Sequence, residues 1–159
     1  MKKSVPLRFP SLEIQEQGGL LVSLTLDAEA LASLGTEAPY SGPVELKAEF
    51  SVGGKDILLL GNAAGAWALE CSRCLAAVRL PFTAALERTY EIGEKEIDIA
   101  GELREALLLA LPGKPLCRAD CRGLCPRCGK DLNEGPCGCR LEPPNVFAKI
   151  KEIKKERRK

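Results

Sequence analysis

At 159 residues and 45% hydrophobic composition, the chain has the size and apolar content of one domain, or of one domain with a small appendage, which excludes a wholly disordered chain. No histidine occurs, so Ser/His and Cys/His nucleophile pairs are impossible and enzyme classes that need an imidazole base drop out. The net charge of +1 conceals a split: residues 1–113 hold 10 Lys+Arg against 16 Asp+Glu and residues 114–159 hold 13 against 6, so that −6 is followed by +7, and the basic end points to an anionic partner or to a solvated tail.

The opening "MKKSVPLRFPSLEIQEQ" has two lysines but no apolar h-region, and "EALLLALP" is too short to span a bilayer, so the expected location is the cytoplasm. "LLVSLTL" reads as a strand ending at Asp27, which can cap a short helix over "AEALASL". In "PVELKAEFSV" Val44, Leu46, Ala48, Phe50 and Val52 share one face while Glu45, Lys47 and Glu49 share the other, the pattern of a half-buried strand. Gly53-Gly54 turns the chain, "DILLL" returns antiparallel, and "AGAWALEC" continues the meander. "VRLPFTAALERTY" alternates again, with Pro81 demanding an edge strand or a bulge. The period then becomes helical in "GELREALLLALPG", where Leu103, Ala106, Leu107, Ala110 and Leu111 share a face and Leu108 and Leu109 suggest burial on most sides before Pro112 ends the helix. Beyond the cysteine segment, Asn145 caps a last predicted helix with Val146, Phe147, Ile150 and Ile153 on one stripe and a basic back. The expected class is therefore α+β: an antiparallel β meander covered by a helix (residues 1–113), then a cysteine-rich, zinc-ribbon-like segment with a terminal basic helix (residues 114–159).

"LCRADCRGLCPRCGKDLNEGPCGC", residues 116–139, holds six of the eight cysteines. In a cytoplasmic chain so dense a pattern points to metal or catalysis before disulfides. The eight fall into four chelating pairs, Cys71/Cys74, Cys117/Cys121, Cys125/Cys128 and Cys137/Cys139, enough for two tetrahedral zinc sites. Three pairings of the pairs are possible. Loop length favours Cys125, Cys128, Cys137 and Cys139 as one site, because only eight residues separate "CPRC" from "CGC". Cys71 and Cys74 then join Cys117 and Cys121, whereas the rival with Cys117/Cys121 and Cys125/Cys128 together must fold back across "RGL" alone. Iron–sulfur ligation is open to any all-cysteine site. A thiol–disulfide couple in "CSRC" or "CPRC", with Arg73 or Arg127 lowering a thiolate, lacks the helix-start context that such chemistry uses.

"LECSRCLAAVRLPF", "IDIAGELREALLLALPGKPLC", "CRGLCPRCGKDLNEGPCGC" and "PPNVFAKIKEIKK" together, over about residues 66–155, resemble the YceD family of large ribosomal RNA subunit accumulation proteins. The resemblance implies a non-enzymatic role in ribosome biogenesis, supporting 23S ribosomal RNA synthesis, processing or accumulation. Cys71 and Cys74 match the family's most typical feature, and the cysteines from 117 to 139 match its cysteine-rich members. The expected partner is ribosomal RNA or a large-subunit ribosomal protein, with no membrane and no small-molecule substrate. Lys149, Lys151, Lys154, Lys155, Arg157 and Arg158 are the candidate phosphate contacts. The alternative is a zinc-stabilised protein-interaction adaptor without direct RNA contact.

Overall fold

The computed structural model describes residues 7–36 and 38–139. The elements in order are β1 (Arg8–Pro10), α1 (Ser11–Gln17), β2 (Gly19–Leu26), α2 (Ala28–Ser33), β3 (Val44–Gly53), β4 (Asp56–Glu70), β5 (Ala77–Glu91), β6 (Glu96–Asp98) and α3 (Ala100–Leu109). The architecture is α+β.

Strands β2 to β5 form an antiparallel meander in chain order. Alternation decides which face is buried: Val44, Leu46, Ala48 and Phe50 of β3 point inward, while Glu45, Lys47 and Glu49 face water. The inner face continues through Ile57, Leu59 and Ala63 of β4 and Phe82, Ala84 and Leu86 of β5. Ile14 of α1, Leu31 of α2, and Ile99, Leu103 and Leu107 at the start of and within α3 close over it. Burial of each such aliphatic side chain is worth about 1.5–3 kcal/mol. At the other end of the sheet Trp67 stacks on Phe82, with ring centroids 4.2 Å apart, and Tyr40 lies 4.7 Å from Trp67.

Asp27 caps α2, accepting a hydrogen bond from Ala30 N at 2.9 Å. Pro81 pairs with Ala66 in β5, which is the outer strand of the sheet. "DILLL" and "AGAWALE" are one strand, because β4 runs for 15 residues through Gly61 and Asn62. Helix α3 covers the sheet by one stripe and is not buried on most sides. Leu103 and Leu107 are inaccessible, whereas Leu108 and Leu109 are 44% and 79% exposed, since helical rotation carries them off the face that meets β5.

A small second sheet, β1 with β6, pairs Arg8 with Asp98 and Phe9 with Ile97 across 90 positions of sequence. It ties the start of the described chain to the entry of α3, where Ile99 N donates to Leu7 O at 3.0 Å and Ala100 N to Asp98 Oδ1 at 2.9 Å. Among the described residues no helix is long and apolar enough to cross a membrane.

Candidate metal centres

The β4–β5 hairpin is long, and its tip carries the first cysteine pair. After Glu70 pairs with Ala77 the chain turns through Cys71–Ala76, closed by Cys71 N donating to Ala76 O and Leu75 N to Cys71 O, both at 2.9 Å. The second pair of that group arrives from α3. Residues 110–116 lead to the tip, where Ser72 N donates to Pro115 O at 2.8 Å. Cys117 Sγ then lies 3.6 Å from Cys74 Sγ, and Cys121 Sγ lies 3.8 Å from Cys71 Sγ.

All four sulfurs of Cys71, Cys74, Cys117 and Cys121 lie within 4.8 Å of one another. The same holds for Cys125, Cys128, Cys137 and Cys139. These are the two sets that loop length favoured, and Cys117/Cys121 do not share a group with Cys125/Cys128. A tetrahedral ion with bonds of about 2.3 Å separates its ligand sulfurs by about 3.8 Å, against about 2.05 Å for a disulfide. The Cys71–Cys121 and Cys74–Cys117 separations of 3.8 and 3.6 Å are near the metal spacing, and all eight cysteines are free.

The two turns share one backbone design. Gly129 N donates to Cys125 O at 2.9 Å, as Leu75 N does to Cys71 O, and both residues after the second cysteine are left-handed, Gly129 at φ 72° and Leu75 at φ 61°. Gly129 takes that conformation freely. Leu75 is the one non-glycine residue with positive φ among the described residues, and it is held there although 60% exposed. Its role could have been read from the alignment of "CSRCL" with "CPRCG".

Four thiols this close cannot all ionise beside one another without a cation between them. Backbone N–H groups of Cys74, Arg73 and Cys117 hold the Cys71 thiol down at about 6. Burial, with the neighbouring thiol of Cys121, pushes Cys117 up to about 12. In the second group the N–H groups of Arg127 and Cys128 bring Cys125 down to about 6, while the thiol of Cys128 and then burial push Cys139 up to about 12. Each group thus has a ready anion and a thiol that needs a compensating charge, which a divalent ion supplies. Each could hold a metal ion.

The groups are built onto each other. Leu124 N donates to Arg73 O at 3.0 Å, Arg73 Nη1 donates to Cys121 O at 2.7 Å, and Leu132 N donates to Gly123 O at 2.9 Å. Gly123 (φ 75°) permits this approach, because a Cβ there would lie 2.8 Å from the Arg73 carbonyl oxygen. Asn133, in the loop between Cys128 and Cys137, places Nδ2 3.5 Å from Cys121 Sγ and is the largest influence lowering that thiol.

The predicted terminal helix, with Asn145, Val146, Phe147, Ile150 and Ile153, lies outside the described residues. So do the candidate phosphate contacts Lys149, Lys151, Lys154, Lys155, Arg157 and Arg158.

Residues 85–154 match the family model described as large ribosomal RNA subunit accumulation protein YceD. An uncharacterised protein of Mycobacterium leprae is 27% identical over 147 residues, covering 80% of this chain and 68% of its own length. One of Mycobacterium tuberculosis is 35% identical over 97 residues, or 50% of this chain, which here spans about half (47%) of the relative. The chloroplastic large ribosomal RNA subunit accumulation protein YCED homolog 1 of Arabidopsis thaliana is 38% identical over 48 residues, covering 30% of this chain and 15% of that protein. No solved structure matches the chain. The matched segment contains α3 and six of the eight grouped cysteines, and over it the chain is similar to the YceD family.

Proposed function

We propose that this chain is a non-enzymatic zinc protein of ribosome biogenesis that supports the accumulation of large-subunit ribosomal RNA. The family description supports the biological role, and the observation that carries the molecular reading is the pair of four-thiol groups. Four thiolates fill a tetrahedral zinc sphere, leaving no open position for water or substrate, which is the mark of structural rather than catalytic zinc. Zinc suits such all-thiolate tetrahedra and adds no redox chemistry. Bound there, it would neutralise the clustered thiolates. The chain's own residues do the rest: the β4–β5 hairpin presents Cys71 and Cys74, and the segment after α3 folds onto them.

RNA contact falls to the basic end. Of the 13 Lys+Arg in residues 114–159, seven lie between Lys149 and Lys159, against Glu152 and Glu156. Phosphate neutralisation by such residues is sequence-independent and salt-sensitive. In-cell crosslinking followed by sequencing of the bound RNA tests this directly: enrichment of 23S ribosomal RNA is expected. Reversal of Lys154, Lys155, Arg157 and Arg158 to Glu should reduce the crosslink and flatten the salt dependence, each lost contact removing about 0.7–0.9 from the log–log slope. Undiminished crosslinking and an unchanged slope in a folded variant would exclude this segment as the contact. Capture of a ribosomal protein with no RNA crosslink would establish the adaptor role instead.

A further inference from the structure

Asn133 sits in the eight-residue excursion between Cys128 and Cys137, so its position is set by closure of the second cysteine group. Yet its side chain serves the first. Its carboxamide makes every hydrogen bond available to it: Oδ1 accepts from Arg122 N and from Arg118 Nη2, each at 2.8 Å, while Nδ2 donates to Asp131 Oδ1 at 2.7 Å and to Cys121 Sγ at 3.5 Å. The two donors on the oxygen fix which way the amide points, with its N–H toward the sulfur. Asn133 N also donates to Asp131 Oδ1 at 2.8 Å, and Cys125 N donates to Lys130 O at 2.8 Å, so the amide is locked to the loop that carries the second group.

We propose that Asn133 couples the two metal centres: closing the Cys125–Cys139 group around its ion sets this carboxamide on Cys121, so that each ion binds more tightly when the other is in place. The inference rests on the reading of both groups as metal sites. Outer hydrogen bonds to a metal ligand orient it and steady its charge, and removing one costs about 10- to 100-fold in metal affinity. Here the residue that makes that bond is carried by the loop between the two ligand pairs of the neighbouring group. By linkage the two ions must then help each other by the same factor. Asn133 is a positioning residue and touches neither ion.

The test uses the full-length, zinc-loaded protein. It is exposed to graded EDTA, exposed thiols are trapped with N-ethylmaleimide, and peptide mapping reports the occupancy of each group separately. Cys137→Ser with Cys139→Ser, which leaves every ligand of the first group intact, should make Cys71, Cys117 and Cys121 reactive at a chelator level about 10- to 100-fold lower. Asn133→Ala should give the same loss in an otherwise native chain, and none beyond it when combined with the cysteine pair. Asn133→Asp keeps an oxygen acceptor for Arg118 and Arg122 but has no N–H for sulfur and sets a carboxylate beside Asp131 and Cys121, so it should lose at least as much as the alanine variant, and Asn133→Ser, which is too short to reach the sulfur, decides the matter if the alanine variant does not fold. Unchanged protection of the first group in the Asn133 variants overturns the coupling. So does an equal further loss in the cysteine-pair background, which is what a merely structural residue would give. A native protein that takes up fewer than two zinc ions overturns the metal reading itself, an outcome distinct from two ions held independently.

Discussion

Gly123 is the residue on which the junction of the two cysteine groups turns. Its left-handed backbone and the 2.8 Å that a Cβ would leave to the Arg73 carbonyl mean that no side chain fits without moving backbone. Gly123→Ala meets both obstacles, strain of about 1–2 kcal/mol from the left-handed conformation and the clash on top of it. A loss of at least about 2 kcal/mol in denaturant unfolding of the zinc-loaded protein is expected, together with faster zinc release from the Cys71 group. Wild-type stability and release would show that the ribbon does not pack on Arg73 as described. Gly129 is different, since nothing lies within 4 Å of its missing Cβ and only its backbone angle constrains it. Gly129 could be singled out from the "CPRCG" motif, but Gly123 and Asn133 could not. Gly123's partner, Arg73, is brought to it by the hairpin tip from 50 positions away, Asn133's partner, Cys121, lies 12 positions away, and no local pattern records either contact.

Among the elements, the two-stranded sheet of β1 and β6 shows how a marginal element is held. Each strand has three residues, too few to stand alone. Arg8 donates to Asp98 at 2.9 Å, and Asp98 also receives the Ala100 N–H at the start of α3. That backbone donor first, and the guanidinium second, hold the Asp98 carboxyl below its ordinary value. A carboxylate whose pKa is lower folded than unfolded adds stability above the unfolded value, near 3.9, and loses it as pH falls through the folded one. Its side chain is 42% exposed, so solvent screening keeps the contribution under about 1 kcal/mol. Asp98→Asn should therefore be slightly less stable than the native protein at neutral pH, with the gap closing below about pH 4. A gap that stays constant down to pH 2 would mean that the charge plays no part. This element was invisible in sequence because three-residue strands carry no periodicity and the partners lie far apart. Strand β3 was plain for the opposite reason: one face is dry and the other wet, so burial writes itself into the alternation of Val44 to Val52.

For the whole molecule, the cysteine groups join what composition divides. The acidic, β-rich part supplies Cys71 and Cys74 from its longest hairpin, and the basic part supplies Cys117 and Cys121. Their grouping was legible because short chelating turns and loop length constrain thiols strongly, whereas the packing of α3 was only half legible. Leu103 and Leu107 bury, but Leu108 and Leu109 carry the same hydrophobicity and remain exposed, so composition could not say how wide the buried stripe is. Metal binding contributes about 10–16 kcal/mol in zinc-finger peptides, so the segment after α3, which among the described residues holds no regular strand or helix, should depend on it, while the apolar sheet core can stand without it. Elemental analysis of the full-length protein, purified without added metal, tests that claim most directly. Two equivalents of zinc per chain are predicted, falling to one in Cys128→Ser with the Cys71 group still protected from alkylation. One equivalent in the native protein, or iron with visible absorbance, would contradict it.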